Sequence, residues 1–426
     1  MTEEFLHFVW QFGLFERTNL KAFTGEKIDI LQTGRYNSDA GPDFFNARIR
    51  INGIEWAGNV EIHLRSSDWK KHGHSNDSAY NNVILHVVEE YDTDIFTKEN
   101  VPVPTLKLNY NKSVLENYRI LYGSVGNIAC SRYLQNISND VFNFYFPSLA
   151  VERLEQRTHN IKESLINSGN NWEEVFYRSV ARNFGFRVNS QPFAMLAESI
   201  SLKVLAKQKN NLLQIEAILF GQSGLLPKNA DHPYIKSLCA EYAFLKSKFT
   251  LVPLQNSVWK FLRVRPVNFP TVRIAQFAAL VHQSSALFSK ITEQKDLESL
   301  INLFSLKASS YWDLHYAFEK PSPDVPKSLG RESIQTIIIN TVIPFMFLYG
   351  SEKGKKEISD RAIKFLEMLP AEKNTIIRQW TGLNIKATSA LESQALIQLY
   401  NNYCMNRKCL QCKAGTAIIR STKQLI

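Results

Sequence analysis

Gly41-Pro42-Asp43-Phe44-Phe45-Asn46-Ala47-Arg48-Ile49-Arg50-Ile51-Asn52-Gly53-Ile54-Glu55-Trp56-Ala57-Gly58-Asn59-Val60-Glu61-Ile62-His63-Leu64-Arg65 is the stretch on which the fold turns. Ala47 to Ile51 alternates strictly, so Ala47, Ile49 and Ile51 are expected to face a core while Arg48 and Arg50 face away. Asn52-Gly53 is a strong two-residue hairpin signal, and Ile54-Glu55-Trp56 restarts a strand beyond it. Val60, Ile62 and Leu64 then alternate against Asn59, Glu61, His63 and Arg65. Side chains two apart on a strand share a face, so Glu61, His63 and Arg65 project together.

Upstream, Phe5, Phe8, Val9 and Phe12 recur at helical spacing and Gly13 supplies a stop. Downstream, Val83 to Val88 is almost continuously apolar, as a central strand covered on both faces requires. Val103 to Leu108 contains Pro104, which assigns it to a sheet edge. From about Leu115 the texture is helical. Trp172, Val175, Phe176, Val180 and Phe184 form one stripe, entered by Asn171-x-x-Glu174 and followed by Gly185. The expected fold class is α+β, with a small mixed α/β domain over residues 1–120 and a large all-helical domain over residues 121–426. A second, weaker break is expected at Glu319 to Asp324.

Composition sets the outer bounds. The 426 residues are 44% hydrophobic and 21% charged, with 18 Gly and 15 Pro, which excludes collagen-like, coiled-coil and disordered chains. Fifty Lys+Arg against 40 Asp+Glu leaves +10, a balance that permits a polyanionic partner without requiring one. Met-Thr-Glu-Glu-Phe-Leu places acids where a signal peptide carries bases, and Ile334 to Tyr349 is too short and too polar to span a bilayer. Five cysteines do not make a disulfide framework. The expectation is a cytoplasmic protein with no membrane partner. No Walker lysine loop, Gly-x-Gly-x-x-Gly or Gly-x-Ser-x-Gly occurs, which argues against an ATP-driven helicase, a Rossmann dehydrogenase and an α/β-hydrolase.

The chemistry concentrates between Gly41 and His86. Four of the nine histidines fall from His63 to His86, beside Asp43, Glu61, Asp68 and Asp77. A hairpin can bring Asp43 beside Glu61, and two adjacent carboxylates repel unless a cation separates them. A few hard oxygen ligands suit Mg²⁺ or Mn²⁺, which activate water and stabilise charge in phosphodiester cleavage. A plainer reading has Asp43 capping a Gly-Pro-Asp turn and Glu61 and His63 on an edge. His72-x-His74 with Asp77 offers ordinary zinc ligands.

Gly41-Pro42-Asp43-Phe44, an alternating strand and Val60-Glu61-Ile62-His63 together resemble the PD-(D/E)XK nuclease superfamily. That pattern sets a Pro-Asp ahead of an acid-x-Lys within a helix–strand–strand–strand–helix–strand core. The resemblance implies that Asp43 and Glu61 bind the metal, with the Ile62 carbonyl completing the coordination. It puts His63 in the place of the lysine that orients or activates water. Arg65, or Lys70 and Lys71, would supply the missing positive charge, and Glu3, Glu4 or Glu16 would assist from the first helix. With Ser66-Ser67-Asp68-Trp69, His72-x-His74-x-x-Asp77-x-x-Tyr80 and Val83-Ile84-Leu85-His86, the segment also resembles a bacterial family of unknown function, over most of the chain.

At the other end, Cys404-x₄-Cys409-x₂-Cys412 sets three thiols close enough to share a soft metal, and Cys130 is available as a fourth ligand for zinc or an iron–sulfur cluster. The arrangement is similar in kind to PD-(D/E)XK nucleases that close their fold with one distant cysteine and a carboxyl-terminal trio. The alternative is four reduced, separately buried thiols. Lys260, Arg263, Arg265 and Arg273 run without an intervening acid among Trp259, Phe261 and Phe269, a pattern suited to phosphates and unpaired bases or to a buried helix face. The first functional expectation is a metal-dependent nuclease using Asp43, Glu61 and His63. A catalytically inactive nucleic-acid-binding or scaffold protein, and a zinc hydrolase using His63, His72, His74 and Asp77, are the alternatives.

Overall fold

The computed structural model describes residues 2–229 and 231–421 and is α+β. Two compact units divide it, one of Met1–Tyr145 with Leu399–Ile426 and one of Phe146–Gln398. The sequence boundary lies near residue 120; the chain leaves the first unit after Tyr145 and re-enters it at Leu399.

The first unit is built on a seven-stranded sheet. Helix α1 (Glu3–Gln11) carries two acids in its first turn, favourable against the helix dipole, and buries Phe5, Leu6, Phe8, Val9 and Trp10. It ends at Gly13, whose φ of +62° no helix continues. Strands β1 (Leu20–Lys21), β2 (Lys27–Gln32), β3 (Arg35–Tyr36), β4 (Phe44–Ile51) and β5 (Ile54–Arg65) follow, then β6 (Val83–Glu90) and β7 (Thr105–Lys107). The order is β1-β2-β4-β5-β6-β7, with β3 paired to β4. Strands β2, β4 and β5 run antiparallel, whereas β6 runs parallel to β5 and β7 parallel to β6.

The β4–β5 hairpin forms as its sequence dictates. Asn52 and Gly53 both take positive φ, +49° and +85°, the twist that joins antiparallel strands in two residues. Ala47 and Ile49 are buried and Arg48 is exposed, although Ile51, near the turn, is only half-buried. Parallel pairing of β5 with β6 needs a crossover. Residues 66–82 provide it through helix α2 (Asp68–Lys71) and the short turns His74–Asn76 and Ser78–Tyr80. Trp69 anchors this segment among Tyr80, Val83, Ile95 and Val103 and donates Nε1–H to the Phe96 carbonyl at 3.0 Å. Strand β6 is central, with Val83, Leu85, Val87 and Val88 buried, and β7 is the edge strand.

Among the described residues, the named elements of the second unit are helices apart from the paired segments His315–Ala317 and Lys320–Pro321. Asn171 caps Trp172–Phe184 through Glu174 N–H at 3.1 Å, and that helix buries the expected apolar stripe. Gly185 closes it with φ −72°, so its place there does not require glycine's left-handed freedom. Residues 319–324 are not a break. They lie inside this unit, where the buried Lys327 donates Nζ–H to the Asp313 and Val325 carbonyls, both at 2.9 Å, and to Ser322 Oγ at 3.1 Å. The apolar passage Arg331–Glu352 is long enough to cross a membrane, but 67% of its most apolar window is buried in the protein.

Candidate metal centre

Asp43 enters β4 from a turn that Gly41 makes at φ +104°. Its backbone N–H donates to Glu61 Oε2 at 3.0 Å, and its Oδ2 accepts the Ile62 N–H at 2.9 Å. The strand pairing therefore seats the two carboxylates side by side. Glu61 is buried, and desolvation pushes its carboxyl above the usual range; the bond to His74 opposes that shift and the Asp43 charge adds to it.

Around this pair stand imidazoles. His7, from α1, places Nε2 3.2 Å from Asp43 Oδ2. Burial alone would lower its pKa, but the bond to Asp43 and the charges of Asp43, Glu3 and Glu61 raise it overall. His74 Nε2 lies 3.2 Å from Glu61 Oε1, and His63 Nε2 lies 3.6 Å from the same oxygen. His63 Nε2 is also 3.1 Å from His72 Nδ1, and His63 Nδ1 is 2.8 Å from His86 Nε2. Burial, with the neighbouring imidazoles, lowers His63 to about 2 and His86 to about 3. His63 is therefore a neutral imidazole, which cannot supply lysine's charge.

The backbone explains how His72 and His74 converge. His72 closes α2 and His74 opens the next turn; Gly73 between them takes φ +80°, reversing the chain within one residue. His74 is held by a stacked Tyr80 ring, 3.8 Å between centroids at 24°. Among the described residues, His63, His72 and His74 form the one group of three or more His, Cys, Asp or Glu whose ligand atoms all lie within 4.8 Å of one another.

Other expected participants are engaged elsewhere. Asp77 Oδ1 caps the turn at Ala79 N–H, 2.9 Å away. Arg65 Nε pairs with Glu90 at 3.2 Å on the surface, Lys71 with Asp68 at 2.6 Å, and Lys70 Nζ with Thr93 Oγ1 at 3.3 Å. Glu3 acts on the site only through its charge on His7, and Glu16 is exposed. His7, and not a glutamate, is the side chain that the first helix brings to Asp43. A histidine beside the Phe5–Phe8 stripe was the available signal.

Within the same unit, Cys130, Cys404, Cys409 and Cys412 are all buried free thiols. Arg407 ties the trio's segment to the one preceding Cys130, donating to the carbonyls of Ser124 at 3.0 Å and Gly126 at 2.8 Å. Every pair of the four lies within electrostatic reach. Burial, reinforced by neighbouring thiols, pushes Cys130 up to about 12, and burial pushes Cys412 up to about 11 and raises Cys404 and Cys409. The N–H groups of Gly415 and Ala414 favour the Cys412 thiolate. A Cβ on Gly415 would strike the Cys409 backbone. Among the described residues, no three of these thiols bring their sulfurs within 4.8 Å of one another. Cys239 belongs to the helical unit, its thiol 3.5 Å from the Pro227 carbonyl.

In the helical unit, Lys260, Arg263 and Arg265 are exposed, whereas Arg273 is 5% exposed. Its guanidinium bonds Gln276 at 2.9 Å, Asn268 at 2.5 Å and Ser333 at 3.0 Å and lies 4.5 Å over the Phe186 ring. It serves the core of that unit instead of offering itself to phosphate. Trp259 is buried, and Phe261 and Phe269 pack edge to face at 5.2 Å.

A family model described as Protein of unknown function (DUF2851) matches residues 3–375. No curated protein and no solved structure matches the chain.

Proposed function

We propose, from the premise that the chain belongs to the DUF2851 family, that its sheet unit is a metal-dependent phosphodiesterase acting on nucleic acid. The observation that carries this reading is the pairing of Asp43 with Glu61 on adjacent strands. Supporting it is the order of elements: a helix, antiparallel β2, β4 and β5, a crossover with a short helix, and β6 parallel to β5. Leaving aside the two-residue strands β1 and β3, this order is similar to that of the PD-(D/E)XK core, which the Pro42-Asp43 and Glu61-x-His63 motifs resemble.

In this reading Asp43 and Glu61 would hold Mg²⁺ or Mn²⁺, which would supply Lewis-acid stabilisation of the phosphodiester's developing charge. His63, kept neutral by burial, would position the attacking water through Nε2, and His86 fixes its ring through Nδ1. Exposed Lys260, Arg263 and Arg265 offer charge to the polyanion. Cys130, Cys404, Cys409 and Cys412 bind zinc or an iron–sulfur cluster.

The test is cleavage of single- and double-stranded DNA and RNA in Mg²⁺ or Mn²⁺, beside Asp43→Asn and Glu61→Gln. Metal-dependent product that disappears in both variants is the expected result. Undiminished cleavage in either variant overturns the assignment. The neutral His63 in lysine's place favours one second reading, a nucleic-acid-binding protein without cleavage, recognised by salt-sensitive binding and no product in any divalent metal.

A further inference from the structure

We propose that His63, His72 and His74, with Glu61 Oε1 as a fourth ligand, form a binding site for a divalent transition metal of the zinc class. The inference goes beyond the phosphodiesterase reading and gives His63 Nε2 a different partner, an ion in place of the attacking water, so the two are tested separately. Two ligands bonded to Zn²⁺ at about 2.0–2.1 Å and a tetrahedral angle stand roughly 3.3–3.4 Å apart. Among these four groups, His63 Nε2 stands 3.1 Å from His72 Nδ1, His74 Nε2 3.2 Å from Glu61 Oε1 and His63 Nε2 3.6 Å from Glu61 Oε1. The three imidazole nitrogens also close on one another within 4.8 Å.

The groups behind the ligands are those a metal centre needs. The non-ligating Nδ1 of His63 is held by His86 Nε2 at 2.8 Å, Glu61 Oε2 is held by the Asp43 N–H at 3.0 Å, and the His74 ring is fixed by Tyr80. His72 is exposed and the other two histidines are buried, so an ion enters past His72. A set of three nitrogens and one carboxylate suits Zn²⁺, Co²⁺, Ni²⁺ or Fe²⁺ and does not suit Mg²⁺. Glu61 thus faces two ways, with Oε1 toward the imidazoles and Oε2 toward Asp43.

The test uses the full chain, stripped of metal by a chelator and titrated with Co²⁺ or Zn²⁺ by calorimetry and visible absorption. Four-coordinate Co²⁺ bound by imidazole and carboxylate shows visible ligand-field bands without the near-ultraviolet sulfur charge transfer that the cysteine cluster would add. The wild type should show such a sulfur-free ion. His72→Ala, at an exposed position, and His74→Gln should bind it more than about tenfold more weakly, while Asp43→Asn keeps it. Identical binding in wild type and both histidine variants, or no sulfur-free ion in the wild type, overturns the proposal. The phosphodiesterase reading fails separately, on cleavage by Asp43→Asn.

Discussion

Asp43 and Glu61 are locked by a reciprocal pair of bonds: Asp43 N–H donates to Glu61 Oε2 at 3.0 Å, and Asp43 Oδ2 accepts the N–H of Ile62, the next residue along Glu61's strand, at 2.9 Å. The carboxylates are therefore part of the sheet's hydrogen bonding as well as candidates for chemistry.

It follows that Asp43→Ala, which strands the Ile62 N–H, should cost about 1–3 kcal/mol of stability. Asp43→Asn keeps an acceptor in place and should unfold near the wild-type urea midpoint. Both should lose cleavage. Equal stability of the two variants would show that the bond to Ile62 matters little.

His63→Gln should lower cleavage by about 10²-fold if its imidazole positions the attacking water. Arg65→Ala, whose partner Glu90 lies on the surface, should change stability by no more than about 0.5 kcal/mol. Rate against pH, measured for both, separates a proton acceptor from a spacer.

Gly73→Ala should cost about 1–2 kcal/mol, because a residue with a Cβ is strained at φ +80° even though the space around it is open. The same change should weaken Co²⁺ binding by disturbing the His72–His74 turn. Thermal unfolding with and without metal reads both effects.

Cys130→Ser should reduce iron or zinc retained through purification, measured by elemental analysis. Cys239→Ser, in the other unit, should leave it unchanged. Equal metal in both variants would remove Cys130 from the site.

The helical unit carries a pH dependence of its own. Burial raises Glu216 from 4.5 to about 7, with Tyr234 donating to its Oε2 at 3.0 Å. A raised carboxyl pKa favours the folded state while the group is protonated, so this contribution is whole below pH 4.5 and is lost as pH rises to about 7. The shift corresponds to roughly 3 kcal/mol. Glu216→Gln should flatten the dependence of the urea midpoint on pH between those values.

Local signals carried most of the sheet. Asn52-Gly53 specifies its turn by the φ values it tolerates, and alternation from Val60 to Arg65 is enough to set Glu61 beside His63. The α+β class follows from the same periodicities. What the sequence hides is convergence over distance. His7 reaches Asp43 only because α1 packs on β5, and His72 meets His74 through a glycine conformation that spacing does not reveal. Arg273 misleads for the opposite reason: its charge suggests a surface, while Gln276, Asn268 and Ser333 satisfy it inside a core.

The division of the first unit between Met1–Tyr145 and Leu399–Ile426 sets an order of events during synthesis. A ribosome delivers the whole sheet, Asp43, Glu61, every histidine of the site and Cys130 before it makes Cys404, Cys409 and Cys412. The 253 residues from Phe146 to Gln398 emerge in between, so the sheet unit must wait through the folding of another body before its last segment arrives. A nascent chain paused before residue 399 would hold the carboxylate–imidazole centre with its cysteine cluster still open.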